Sequence, residues 1–250
     1  MPVLEATLAP GLLRWTLSNP ARRNAVDPEM LGWIEARSRA LSGEVVLLTG
    51  EGQSAFSAGF DLHSLRRLQA ERPGVAPDQP LIDASTAIQA ADATFVAALN
   101  GYAIGAGVEL AAACDLRIAR SGVTFQVPAG KLGVVYHAAG IRRFHAVFGP
   151  ALTRRLLLAG EAITAEEALS AGALAAVVEA DALDEAAVAL CGRLSAGDPR
   201  SLRAHRDLLR AIERTAVDPD PLRAHADLRA EAYAAADLDE TRRRALGRES

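Results

Sequence analysis

Two glycine-bearing segments, Phe56-Ser-Ala-Gly-Phe-Asp-Leu62 and Asn100-Gly-Tyr-Ala-Ile-Gly-Ala-Gly-Val-Glu-Leu110, hold the residue types in this chain best suited to chemistry. Each sets conformationally free backbone beside an apolar element, which is what is needed to aim unpaired N–H groups at an oxygen on which negative charge develops. The second segment runs into an apolar stretch that reads as a helix over Gly107–Cys114. The first amides of a helix have no internal partner, and its dipole favours negative charge at that end. Glu109 lies in that first turn, between Val108 and Leu110, and points inward on this pattern. A carboxylate there is placed to activate a water or to move a proton beside a stabilised enolate. The plainer alternatives are a carboxylate that complements the dipole and two tight turns between core elements.

The surrounding elements must position these loops. Val3–Leu8 and Leu12–Ser18 are β-rich runs around Pro10-Gly11 and predict an N-terminal hairpin. Asp27-Pro28-Glu29 supplies an N-cap and a proline at the first helical position, with Met30, Ile34 and Leu41 spaced to face a core. Val45–Thr49 is a buried strand, and Arg66–Pro80, with Pro73, Gly74, Pro77 and Pro80, reads as a helix end and an irregular loop suited to be a lid. Helix over Ile82–Ala91, strand over Thr94–Leu99, strand over Asp115–Ala119, strand over Thr124–Val127 and helix near Ala138–Val147 continue the alternation. Thr164-Ala-Glu-Glu167 fits a capping box. From Asp181 the pattern is helical alone, with breaks at Asp198-Pro199 and Asp218–Pro221 and a further helix start at Asp237. This places a core over residues 1–196 and a helical region over 197–250. Leu202, Leu208, Leu209, Ile212, Leu222, Leu228 and Tyr233 are its few large apolar residues, too few for a free-standing domain, so it is expected to pack on the core or on another subunit.

Composition narrows the function classes. The 250 residues are 50% hydrophobic with a formal charge of -4, enough to bury a full core and unfavourable for nucleic acid. Lys131 is the only lysine, so any phosphate contact falls to arginine or backbone amides. Cys114 and Cys191 lack spacing partners, and the start shows no secretory pattern, which points to a reducing cytoplasm. The apolar stretch from Tyr102 to Ala119 is broken by Glu109, Asp115 and Arg117, so no membrane association is expected. His63, His145, His205 and His225 have no ligand spacing with the cysteines, and no metal is expected. Ser57 lies outside any nucleophile-elbow motif.

The two glycine segments, the strand between them and Arg23-Asn24-Ala25 together resemble the crotonase superfamily, the enoyl-CoA hydratase/isomerase group, over nearly the whole chain. The resemblance implies an α/β (α+β) fold, a spiral of repeated ββα units followed by a C-terminal α-helical trimerisation region, assembled as a homotrimer or homohexamer. It implies an acyl-CoA thioester substrate and no cofactor beyond the coenzyme A of that substrate. It assigns the oxyanion hole to the N–H groups of Phe60 and Ala106, the latter standing where the family usually has glycine. A backbone amide survives that change if the local φ is negative. The resemblance makes Glu109 one of two catalytic glutamates and matches the other to Ala129, which cannot transfer a proton. Tyr136 and His137, in Lys131-Leu-Gly-Val-Val-Tyr-His137, fall where other superfamily members place functional residues. Histidine titrates near neutrality, and tyrosine orients a carboxylate by hydrogen bonding; a helix cap and a core aromatic are the plainer readings. Arg22, Asn24, Ala58, Asp61 and Leu62 match positions that contact coenzyme A, although Asp61 also suits a helix cap.

Three functions follow from this pattern. The first is a hydratase/isomerase that stabilises a thioester enolate with Glu109 as the retained acid/base. The second is a decarboxylase of methylmalonyl-type thioesters, favoured by Tyr136 and disfavoured by the apolar Phe60 where those enzymes use histidine. The third is a non-catalytic acyl-CoA-binding homologue, motivated by Ala129.

Overall fold

The computed structural model describes residues 3–71 and 76–215. The chain opens with the expected hairpin of β1 (Val3–Ala9) and β2 (Leu12–Leu17). Helix α1 (Pro28–Arg39) follows, capped by the Asp27 carboxylate, which accepts the Met30 N–H at 2.9 Å. Then come β3 (Ser42–Gly50), β4 (Ala55–Ser57), α2 (Leu62–Glu71), α3 (Gln79–Ala90), β5 (Asp92–Leu99), β6 (Tyr102–Ile104) and α4 (Ala106–Ala113). Strands β7 (Leu116–Arg120) and β8 (Thr124–Gln126) lead to α5 (Ala129–Leu132) and to α6 (Ala138–Arg154), which kinks at Gly149-Pro150. The described chain ends with β9 (Ala162–Thr164), α7 (Ala165–Ser170), β10 (Ala176–Val178), α8 (Leu183–Ser195) and α9 (Pro199–Thr215).

The strands form two sheets in the orders β1-β2-β3-β5-β7-β10 and β4-β6-β8-β9. Their membership alternates along the chain. A long strand of the first sheet (β3, β5, β7) is followed each time by a short strand of the second (β4, β6, β8) and then by a helix, which is the ββα spiral expected from the resemblance. Because the β3 and β5 strands pair in parallel and are covered on both faces, Val45–Leu48 and Phe95–Leu99 read as continuous apolar runs rather than as alternations. The period of two is still visible in the packing. Val46, Leu48, Phe95, Ala97 and Leu99 join the main core with Trp15, Met30, Ile34 and the residues of α4. Their neighbours Val45, Leu47, Val96 and Ala98 face the other way, onto Leu183, Ala187, Leu190 and Cys191 of α8.

The helix end expected within Arg66–Pro80 is Arg66–Glu71, the second half of α2, and α3 begins at Gln79; the centre of the stretch between them, residues 72–75, lies outside the described residues. Helix α9 packs on the core, and does so through arginine. Arg206 and Arg210 are buried, Arg210 donating to Asp115 at 2.7 Å, while Leu208, Leu209 and Ile212 are exposed. Asp115 sits at the start of β7 and already accepts the Phe95 N–H, so a carboxylate held in place between two strands draws the cationic face of α9 inward. Leu222, Leu228, Tyr233 and the Asp218 and Asp237 breaks lie outside the described residues.

Candidate active site

Parallel pairing places equivalent strand ends side by side. Strand β4 pairs with β6 and β6 with β8, all parallel, so the turns that leave their carboxyl ends meet at one edge of the small sheet. The first of these turns is Ala58-Gly59-Phe60 and the second Gly105-Ala106. Both glycines carry positive φ, +95° at Gly59 and +51° at Gly105. A methyl on Gly59 would stand 2.8 Å from the Ile104 carbonyl oxygen and 3.8 Å from the Ala106 nitrogen, so the two loops are in direct contact. The Gly59 carbonyl accepts from Val26, and the Gly105 N–H donates to the Gln126 carbonyl at 2.8 Å. Those bonds pin each turn from behind. Neither the Phe60 N–H nor the Ala106 N–H, the first amide of α4, donates to a backbone carbonyl among the described residues. Arg23 and Asn24 are the only described non-glycine residues with positive φ, so the backbone at Ala106 is in ordinary negative-φ territory, and the extra methyl relative to glycine costs the amide nothing.

Glu109 is wholly buried one turn into α4, and its carboxylate meets α6. Arg143 Nη1 donates to Oε1 at 2.7 Å. His137 Nε2 lies 2.9 Å from Oε1 and 3.0 Å from Oε2. The histidine is the N-cap of α6, its Nδ1 accepting the Gly140 N–H at 3.0 Å. An acceptor nitrogen carries no proton, so the ring proton resides on Nε2 and is donated to Glu109. The helix-cap reading of His137 and the functional one therefore describe opposite edges of one ring. Tyr136 stacks on His137 with ring centroids 5.8 Å apart and a 23° interplanar angle. Its hydroxyl reaches the other loop, 3.9 Å from where a Gly105 methyl would stand. Gly140 lets α6 approach this cluster, since a methyl there would lie 3.0 Å from Glu109 Oε2, His137 Nε2 and Tyr136 Cδ1.

Arg143 is the residue that sequence reasoning missed. Its Nε donates to Gln89 at 2.8 Å and its Nη2 to Thr86 at 3.0 Å, both on α3. Burial pulls the guanidinium below the usual arginine range, and the Glu109 carboxylate opposes that shift. The signal was present: Gly140, Phe144 and Phe148 mark the buried stripe of α6, and Arg143 falls on it. Ala129, matched by resemblance to a second glutamate, is a buried residue at the start of α5.

The residues matched to coenzyme A contact also come together. The segment around Arg23 runs beside the first glycine turn, with Ala58 donating to the Arg23 carbonyl and Asp61 to that of Val26. Arg22, exposed, pairs with Asp61. Asp61 caps α2 by accepting the Ser64 N–H at 2.9 Å. Burial raises its carboxyl, but the Ser64 N–H and the Arg22 guanidinium outweigh it, so the net shift is downward. Asn24 is buried and its side chain serves the fold, donating to the Ala55 and Glu51 carbonyls and accepting from the Asn19 N–H. Leu62 is half-buried at the start of α2. Among the described residues no group of three His, Cys, Asp or Glu side chains could hold a metal, and no helix is long and apolar enough to cross a membrane.

The family model described as Enoyl-CoA hydratase/isomerase matches residues 8–245. The chain is 33% identical over 213 residues to the 2,3-dehydroadipyl-CoA hydratase of Escherichia coli K12, covering 82% of this chain and 81% of that protein. The crystal structure of an enoyl-CoA hydratase/isomerase from Pseudoalteromonas atlantica superposes with a TM-score of 0.84 at 26% identity, over 100% of this chain and 98% of the other. A methylmalonyl-CoA decarboxylase in complex with 2-nitronate-propionyl-CoA reaches a TM-score of 0.87 over 100% of this chain and 97% of the other, and at 23% identity that likeness is one of fold. A family match over almost the full length, on a fold whose paired turns adjoin a buried glutamate, identifies the chain as a member of the enoyl-CoA hydratase/isomerase family of the crotonase superfamily.

Proposed function

We propose that the protein is an acyl-CoA lyase or isomerase that binds the thioester oxygen between the Phe60 and Ala106 N–H groups and uses Glu109 to move a proton at the acyl chain. The observation that carries the reading is the contact between the two glycine turns, with Gly59 packed on Ile104–Ala106 and both amides without a backbone acceptor among the described residues, one helical turn from Glu109. Two fixed donors stabilise charge as it develops on the thioester oxygen, because they need no reorganisation when the enolate forms. Arg22 is paired with Asp61 close to the first glycine turn, where an exposed guanidinium suits the phosphates of coenzyme A.

With alanine at position 129, a single carboxylate must both remove and return the proton. That requirement is met most simply by a double-bond shift, in which one base delivers the proton it has taken. Hydration then needs a second group, and His137 supports that role through its Nε2 contact with Glu109. A second reading, decarboxylation of a malonyl-type thioester, is favoured by the half-buried Tyr136, whose hydroxyl reaches toward Gly105 and is suited to orient a carboxylate.

The test is a panel of α,β-enoyl, β,γ-enoyl and malonyl-type CoA thioesters read by mass spectrometry, with the wild type compared with Glu109→Gln. Turnover of an enoyl substrate that disappears in Glu109→Gln while CoA binding persists supports the proposal. Coenzyme A binding with no turnover of any panel member by the wild type would make the chain a non-catalytic binder.

A further inference from the structure

On the reading that Glu109 is the working base, we infer that Arg143 is the residue that aims it. A carboxylate on the first turn of a helix can rotate, and a base must present a lone pair in one direction to abstract a proton efficiently. The Arg143 guanidinium removes that freedom because it is itself immobilised. Its Nε is held by Gln89 at 2.8 Å and its Nη2 by Thr86 at 3.0 Å, leaving Nη1 on Glu109 Oε1 at 2.7 Å. The planar fork thereby transmits the position of α3 to the carboxylate of α4. His137, on the other side, shares its Nε2–H between both oxygens. Oε1 is therefore taken by two donors, whereas Oε2, among the described residues, accepts only the shared imidazole N–H and keeps a lone pair for substrate. The position is one of low exposure, 0% for Glu109 and 4% for Arg143, so water does not compete for these bonds.

The guanidinium also lines a cavity of about 150 Å³ together with Thr86, Gln89, Ala139 and Arg142. Removing the arginine side chain leaves a space into which a free guanidinium ion can diffuse and take up the same acceptors.

The experiment compares Arg143→Gln, Arg143→Ala and Arg143→Lys with the wild type on the best enoyl-CoA substrate. Arg143→Gln is expected to lower kcat by roughly 100-fold, the effect of misplacing a reacting group by about 1 Å, with KM for the thioester unmoved. Added guanidinium chloride, at concentrations below those that unfold the protein, is expected to restore part of the kcat of Arg143→Ala and to leave Glu109→Gln unaffected. Arg143→Lys keeps a cation in the same place and so guards against a variant that fails to fold; having lost the fork, it is expected to retain the fold and KM but to fall in kcat. Wild-type kcat in folded Arg143→Lys overturns the inference. So does a loss in Arg143→Gln that appears equally in KM and is accompanied by no guanidinium rescue of Arg143→Ala, because a purely structural role gives that pattern. If Glu109→Gln itself turns over at the wild-type rate, the failure is that of the proposed function and not of the arginine's placement.

Discussion

Substituting Gly59 by alanine tests the thioester grip, and its consequences can be worked from the local geometry. A φ of +95° costs a non-glycine residue about 1–2 kcal/mol. The added methyl would lie 2.8 Å from the Ile104 carbonyl oxygen, well inside the roughly 3.5 Å of a relaxed contact, so Ile104 and the following loop must retreat by about half an ångström or more. That loop ends in the Ala106 N–H, whose nitrogen is 3.8 Å from the same methyl. The strain therefore enlarges the gap between the two proposed donors. Losing one well-placed oxyanion donor costs about 10²–10³ in kcat, so Gly59→Ala is expected to fall in that range or just short of it. Gly172→Ala is the control: its φ is +78°, a methyl there meets nothing within 4 Å, and it follows α7, far along the chain from either glycine turn. Both variants should lose the stability that a positive φ costs, and Gly59→Ala more because of its clash, whereas only Gly59→Ala should lose rate when hydration or isomerisation of an enoyl-CoA is followed by its absorbance at a temperature where both are folded. Equal kcat in the two folded variants would refute the assignment of Phe60 and Ala106.

His137→Asn keeps a capping side chain but not the Glu109 contact, so in urea unfolding it should sit about 1 kcal/mol above His137→Ala while sharing its loss of kcat; wild-type rates in both remove His137 from the mechanism. Tyr136→Phe should leave isomerisation of a β,γ-enoyl thioester intact and abolish any decarboxylation of a malonyl-type thioester, measured as CO₂ release. Burial pushes the Cys114 thiol up to about 12 and the Cys191 thiol up to about 11, from an ordinary value of 9.0. Neither should react with a thiol reagent at about pH 8 in the native protein, and both should react after denaturation. Since the folded chain holds these protons more tightly, their contribution is complete below pH 9.0 and is lost as the pH rises toward 11 and 12, so denaturant midpoints should fall over that interval.

How much of this was legible beforehand depends on how local each determinant is. Asp27 and Thr164 act on amides three residues away, and both caps form as their sequences imply, Thr164 and Glu167 completing a capping box. The hairpin around Pro10-Gly11 and the glycine turns are local in the same sense. What brings the two turns together is the parallel β4–β6 pairing, a contact between distant segments that periodicity cannot reveal and that only the family resemblance implied. Arg143 was missed because a basic residue reads as solvated unless its partner is known, and Glu109 lies on another helix. That α9 packs on the core was expected from its few large apolar residues, but the Arg210–Asp115 pair that holds it there joins distant segments and could not be read from either one. The cap and the acid or base role of His137 were set against each other by sequence, although its Nδ1 makes the cap and leaves Nε2 to meet Glu109.

The measurement closest to the central claim is exchange of the Cα proton of a saturated acyl-CoA in D₂O, followed by NMR or mass spectrometry, because enolate formation is common to isomerisation and hydration and needs no knowledge of the natural acyl group. The account predicts that the wild type washes deuterium into Cα, that Glu109→Gln does not, and that Gly59→Ala does so about 10²-fold more slowly. Exchange at the same rate in Glu109→Gln as in the wild type would contradict it.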